Sequence, residues 1–450
     1  NFTTATDSFN VAVGHEAGLL ITTGVNNTLV GAIAGDALTD GIKNVAVGQN
    51  ALGADTQGDN SVAIGSNALC TQNGTNGNVY NTAVGANAGF SVATGYQNTL
   101  IGALSGDALT VGIENVALGV SSLGAAVADA RTTAIGYSAL ASQVNPNFGS
   151  VVNTNNTAVG YSAGVNVTTG IQNTLIGSLA GDALQDADFN VAVGLSALGA
   201  DTLGSKSVAV GTGALSTQNF TTATDTFNVA IGHSAGNAVT TGIRNTCLGT
   251  NSGDFITTGR DNLTIGYESG SYQTNLTTGD GCVLVGPYVD PTDGTADKSH
   301  GFGYNLDCAG GYTTLGDGAS DIRAAHGTAT WNTVSDERYK KDIVDSTAGL
   351  SFIKALKPRT FKYKNLGELP ETFNAYKADS TDVFKNSNTN HGFIAQEVKA
   401  AIDADSGIKD GFKLWDERPD GSQEVGEAAL IPILVKAIQE LEARVKELEG

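Results

Sequence analysis

The 450-residue chain has no methionine, four cysteines, seven prolines and two tryptophans, and only 6% of it is aromatic and 15% charged. An ordinary globular enzyme carries about 25% charged residues and a core of large side chains, so that class is excluded as the default. Cations are nearly missing from the first part. Residues 1–334 hold 7 Lys and Arg against 24 acidic residues, net −17, whereas 335–450 hold 17 against 21, net −4. Such a surface repels phosphate backbones and anionic lipid, which argues against nucleic acid and membranes as partners. No apolar run approaches the roughly 20 residues of a membrane span. Cys70, Cys247, Cys282 and Cys308 show neither CxxC spacing nor histidine partners. Cys247 therefore reads as a small buried hydrophobe, and a Cys282–Cys308 disulfide has no support in the pattern. Without methionine, the chain reads as a fragment or a processed product.

What is abundant is glycine, 59 residues of it, and much of it is periodic. A signature such as Asn44-Val45-Ala46-Val47-Gly48 recurs sixteen times, with its glycine at 14, 31, 48, 65, 85, 102, 119, 136, 160, 177, 194, 211, 232, 249, 266 and 286. The step is 17 residues within groups of four and 20 to 24 between groups. A fixed period of this kind marks a stacked repeat, here one coil of a parallel β-solenoid. The residue before the glycine is always Val, Ile or Leu and is expected to face inward, fully buried. The residue before that is usually Ala, with Leu29, Leu100 and Leu175 in second coils; it is expected on the opposite face, where small side chains let another protomer approach. Four residues after the glycine the sequence reads Gly, Gly, Leu, Leu through each of the first three groups. The duplicated unit is thus a four-coil cassette of about 72 residues. At about 4.8 Å per coil, sixteen coils make a rod roughly 75 Å long.

Several apparent sites fade on counting. Gly204-Ser205-Lys206-Ser207 misplaces the lysine of a phosphate loop. Gly35-Asp36 and Gly106-Asp107 lack the second glycine and nine-residue period of calcium repeats. His15 and His233 hold equivalent coil positions and read as surface residues. No cofactor fingerprint or metal cluster is found, and neither group is expected. The extended cassette junctions, residues 70–80, 141–155 and 216–227, carry Tyr80, Phe148, Phe220 and Phe227 on an aromatic-poor rod. They are candidate glycan contacts, or insertions that pack on the rod.

The pattern Asn-(Thr/Val)-Ala-(Val/Ile)-Gly-x-x-Ala, over roughly residues 10–290, resembles the head repeat of trimeric autotransporter adhesins and of viral tail fibres. That resemblance implies left-handed parallel β-rolls bundled in threes, although the adhesin-head coil is shorter than 17 residues. After Gly286 the pattern stops. Residues 291–334 read as a β-rich transition, with Trp331 near its end.

Composition changes at Ser335-Asp336-Glu337-Arg338-Tyr339-Lys340-Lys341-Asp342-Ile343. An amphipathic stretch, Leu350 to Leu356, and a strand-like Arg359-Thr360-Phe361-Lys362-Tyr363 follow, then His391-Gly392-Phe393-Ile394-Ala395-Gln396-Glu397-Val398 and a long helix. Residues 335–450 resemble the intramolecular chaperone and self-cleaving domain at the C-terminus of phage endosialidase tailspikes and long tail fibres, also found in a membrane-bound animal transcription factor. The resemblance implies that Ser335 is the nucleophile and Lys340 its base. From the residues alone, Arg338, Lys340 and Lys341 equally read as a solvated basic face. A serine needs a base to take its proton, and a desolvated lysine can serve. Asp336 and His391 are candidate orienting groups, and His391 reads equally well as a strand cap. Ile431, Leu434, Ile438, Leu441, Val445 and Leu448 keep 3,4 spacing, the pattern of a coiled coil over about 430–450.

The expected architecture is mainly β: a β-solenoid shaft over 1–290, the transition, and a small α+β chaperone domain over 335–450 ending in a coiled coil, assembled as a homotrimer. The expected function is the distal part of a tail fibre, extracellular on a virion, joined to upstream fibre or tail proteins and touching a host receptor, with a surface glycan as a candidate. Any enzyme activity is at most a single-turnover Ser-Lys autoproteolysis. Rival readings are a bacterial surface adhesin fibre, which an outer-membrane anchor would mark, and a glycan-degrading tailspike, which needs a carboxylate pair in a groove; Asp36, Asp107 and Asp182 show no convergent pattern.

Overall fold

The computed structural model describes residues 7–74, 77–144, 150–318, 320–328, 330–333, 335–408 and 412–450. They fall into two compact units, Asn1–Val334 and Ser335–Gly450.

In the first unit each signature forms a three-residue strand, from Val11–Val13 to Val283–Val285, paired in parallel with the same positions of the next coil. Thus Ala12 lies beside Leu29 and Leu29 beside Ala46. The turn glycines hold φ between +124° and +143°. A Cβ on Gly48 would lie 2.4 Å from the carbonyl oxygen of Gly65, so the stacked turns leave no room for any side chain.

The faces are the reverse of the expected ones. The middle residue of each strand points into the coil, so Leu29, Ala46 and Ala63 are fully buried. The residue before the glycine points out: Val13 is 58% exposed and Leu118 42%. The cause is volume. The walls of one coil stand so close that the strand can send in an alanine, or a leucine only where the opposite turn is bare. In second coils Leu29 enters, and a Cβ on Gly35 would meet its Cδ2 at 2.9 Å. Third and fourth coils keep Ala46 and Ala63 in the strand and fill the space from the turn with Leu52 and Leu69. Those two leucines hold φ of 56° and 48°. That conformation costs about 1–2 kcal/mol for a residue with a Cβ. Burying a leucine contributes about 1.5–3 kcal/mol, enough to hold it there. The four-coil cassette is the period of this exchange.

A second internal feature escapes a pattern search for apolar residues. From the second coil on, an asparagine that opens a signature is buried, and its side chain bridges coils: Asn27 Oδ1 accepts the N–H of Asn44 at 2.9 Å while its Nδ2 donates to the Gly41 carbonyl at 2.9 Å. The ladder breaks at the fourth coil of a cassette, where Ser61 stands. There the buried Gln72 donates from Nε2 to Asp55 at 2.6 Å and to Ser61 at 2.9 Å, and accepts from Asn81 at 2.9 Å. The third cassette repeats this with Asp201, Gln218, Ser207 and Asn228. Each buried polar atom of the bridge thereby finds a partner, as a dry interior demands.

Parallel pairing also continues past Gly286. Val283–Val285 pairs with His300–Tyr304, which pairs with Tyr312–Asp317, and Gly303 and Gly316 stack beneath the turn column. The strand Tyr312–Asp317 then turns back antiparallel onto Ser320–Ala325. All four cysteines are free thiols; Cys247, Cys282 and Cys308 are buried.

The second unit holds helices α1 (Leu350–Ala355), α2 (Ala395–Ala404) and α3 (Ile431–Glu449). Arg359–Phe361 pairs antiparallel with Asn390–Gly392, and Trp415–Glu417 with Gln423–Val425. Phe352, Val398, Ile402, Leu414 and Ile433 form its core.

Candidate functional site

Ser335 and Lys340 bracket a single turn of 3-10 helix, Glu337–Tyr339. Asp336 starts it: one carboxylate oxygen accepts the Arg338 N–H at 2.9 Å, and both oxygens bind the Arg338 guanidinium at 3.0 and 2.6 Å. Those bonds hold the Asp336 carboxyl below the usual carboxylate range. Lys340 ends the turn with its N–H on the Glu337 carbonyl. The turn brings the two chain positions back together, and Lys340 Nζ donates to Ser335 Oγ at 2.7 Å. Both residues are exposed.

The pair is within reach for a proton transfer from Oγ to Nζ. In the geometry seen, however, the ammonium donates and the hydroxyl accepts. A lysine becomes a base only after losing its proton, which removal from water promotes.

The other two sequence candidates are engaged elsewhere. Asp336 shapes the turn through Arg338. His391 sits opposite Thr360 in the antiparallel pair, with Nδ1 3.3 Å from the Thr360 hydroxyl; among the described residues no hydrogen bond links it to Ser335 or Lys340. Sequence reasoning missed Arg359, whose guanidinium grips Glu397 of α2 through both carboxylate oxygens and ties the strand to that helix. It also missed Glu440 of α3, which accepts the Leu350 N–H at 2.8 Å and so caps α1, whose own N-cap Gly349 has no side chain.

On α3 two stripes diverge. Ile433 and Ala437 are buried in the domain, whereas Ile431, Leu434, Ile438, Leu441, Val445 and Leu448 are all exposed, Leu448 by 87%. The heptad positions are therefore not the face that packs on the chain's own domain.

On the shaft, Asp36, Asp107 and Asp182 occupy the same place in successive cassettes, and burial raises the carboxyls of Asp107 and Asp182. Four coils separate them, roughly 19 Å at about 4.8 Å each, beyond the ~5–9.5 Å of a glycosidase pair. Among the described residues no group of three or more candidate ligands gathers for a metal. Of the junction aromatics, Phe220 is buried, Tyr80 and Phe227 are about half exposed, and Phe148 lies outside the described residues. His15 and His233 are exposed.

Residues 335–406 match the family model described as Peptidase_S74, chaperone of endosialidase. The match begins at the serine of the Ser335–Lys340 pair. No curated protein and no solved structure matches the chain. The chain thus places a chaperone-of-endosialidase domain behind a long parallel β-solenoid, an arrangement consistent with a phage tail fibre of the endosialidase type. Among the described residues no helix is long and apolar enough to cross a membrane.

Proposed function

We propose that this chain is the distal part of a homotrimeric, extracellular tail fibre on a virion, whose C-terminal domain aligns three chains and then cuts itself away at Ser335. The observation that carries this reading is the apolar surface left open on both units. Val, Ile or Leu faces outward at the strand end of successive coils, and a second apolar stripe runs along α3. Exposed apolar surface of this extent marks a contact with other chains, and copies of this chain present the same surface at the same spacing.

The pairing of a rod with a chaperone has a kinetic logic. Near-identical coils can pair between chains in shifted registers at little cost, so the chains need alignment before their faces close. A trimerising α3 supplies that alignment. Closure of the trimer around Ser335 and Lys340 would withdraw them from water and favour a neutral lysine. Ser335 Oγ would then attack a neighbouring peptide carbonyl as Lys340 takes its proton; the C–N bond breaks, the lysine returns the proton to the departing amine, and water hydrolyses the ester. Each chain reacts once. Removal of the domain leaves the rod held by its unfolding barrier.

Deleting 335–450 and refolding the shaft tests the chaperone role. The expected result is aggregated or mixed-mass shaft, while the full chain refolds to one species. Recovery of the same soluble assembly from the truncated chain would remove the role.

A further inference from the structure

Twelve tyrosines are spread over the 450 residues, yet four of them meet at one place on the shaft. Tyr288 is the hub: its ring centroid lies 4.5 Å from that of Tyr272, 5.5 Å from Tyr267 and 5.8 Å from Tyr304. Tyr267, Tyr272 and Tyr304 are about half exposed. The rings span three successive coils. Tyr272 sits in the stretch that lengthens the step from Gly266 to Gly286 to 20 residues, and Tyr288 holds the φ of 57° that the second residue after the turn glycine takes in coil after coil, as at Asn50, Leu104 and Glu268. None of the four lies in the buried core of the coil, so core packing does not account for their gathering.

We propose that Tyr267, Tyr272, Tyr288 and Tyr304 form a binding platform for an uncharged oligosaccharide. This rests on the reading of the chain as a host-contacting fibre and names the chemistry of the contact. A pyranose ring has an apolar C–H face and a rim of hydroxyls. Tyrosine offers the matching pair, a flat apolar ring and a phenol at its edge. The neighbouring Glu268 carboxylate pushes the Tyr267 phenol up from its ordinary value, so a carboxylate acceptor stands beside the rings for sugar hydroxyls. Charge selects against an anionic glycan. The shaft is net −17, and Arg260, the cation that precedes Tyr267 in the sequence, is already held by Asp280. A second copy of the chain is the less fitting occupant, because the face that repeats along the rod is the Val, Ile and Leu column, whereas the tyrosine–tyrosine contacts among the described shaft residues are this four-ring cluster and one stacked pair, Tyr137–Tyr161.

Calorimetric titration of the full chain with cellotetraose, the tetramer of N-acetylglucosamine, dextran and alginate tests the platform. At least one of the three uncharged probes should bind saturably, and alginate should not. Tyr272→Leu with Tyr304→Leu keeps the apolar bulk but removes two flat rings; affinity should fall at least tenfold, with the thermal midpoint and light-scattering mass unchanged. Absence of binding by all three uncharged probes, equal affinity in the variant, or binding of alginate alone overturns the proposal. A variant that folds but loses its oligomeric mass also overturns it, assigning the tyrosines to a contact between copies. A wild-type chain that binds sugar as a single chain would fell the fibre reading and leave the platform standing.

Discussion

Ser335 and Lys340 meet because one short helical turn folds between them, and that turn depends on Asp336 and Arg338 rather than on either member of the pair. The spacing was legible in the sequence; the turn that makes it useful was not, since Asp336 reads equally well as a catalytic helper. If the pair cuts the chain, wild-type protein should yield two fragments whose masses sum to 45.7 kDa plus one water. Ser335→Ala and Lys340→Ala should each leave the chain whole, which intact-mass spectrometry reads directly. Asp55 carries a second residue-scale prediction. Burial raises its carboxyl above the usual 3.8, against hydrogen bonds from Gln72, Gly58 and Gly74 that lower it. The folded rod therefore favours the protonated acid. Its stabilising contribution is full below the unfolded value and is lost as pH rises through the folded one. In urea melts, the advantage of wild type over Asp55→Asn should grow as pH falls from 7 toward 4. An advantage that shrinks over that range would mean that the hydrogen bonds outweigh burial.

At the scale of one coil, the repeat period was readable because the turn glycine cannot be replaced: its positive φ and the carbonyl stacked against it exclude a Cβ. The facing of the strand was not readable. Ala46 and Val47 are both apolar and adjacent, so alternation alone allows either to be inside. Interior volume decides it, and that volume is set by Leu52 and Gly35 from another part of the coil. The asparagine ladder was hidden for a similar reason, because a buried polar residue looks like a surface one until its partners are known. α3 divides by the same logic: Ile433 and Ala437 serve its own domain and leave the heptad stripe exposed. Leu434→Asp with Leu441→Asp should thus leave the helical content measured by circular dichroism nearly unchanged but abolish assembly on a sizing column. Loss of the fold itself would show that the stripe packs within the chain.

For the whole molecule, the division of labour follows from charge and order. The shaft is acidic, cation-poor and built almost wholly of contacts between one coil and the next. Such a stack can nucleate anywhere and has little means of choosing a register between chains. The mixed-charge unit that begins at Ser335 has its own core and one outward helix face. The boundary itself was legible as a change in composition, whereas the two coils beyond Gly286 were not, because their strands carry Gly301 and Thr314 where the repeat has alanine. In the proposed homotrimer, two further copies close the outward apolar faces of shaft and α3. Light scattering of the purified full-length Ser335→Ala chain at micromolar concentration tests it most directly. A homotrimer gives three times the 45.7 kDa chain mass, and a single-chain mass of 45.7 kDa would rule it out.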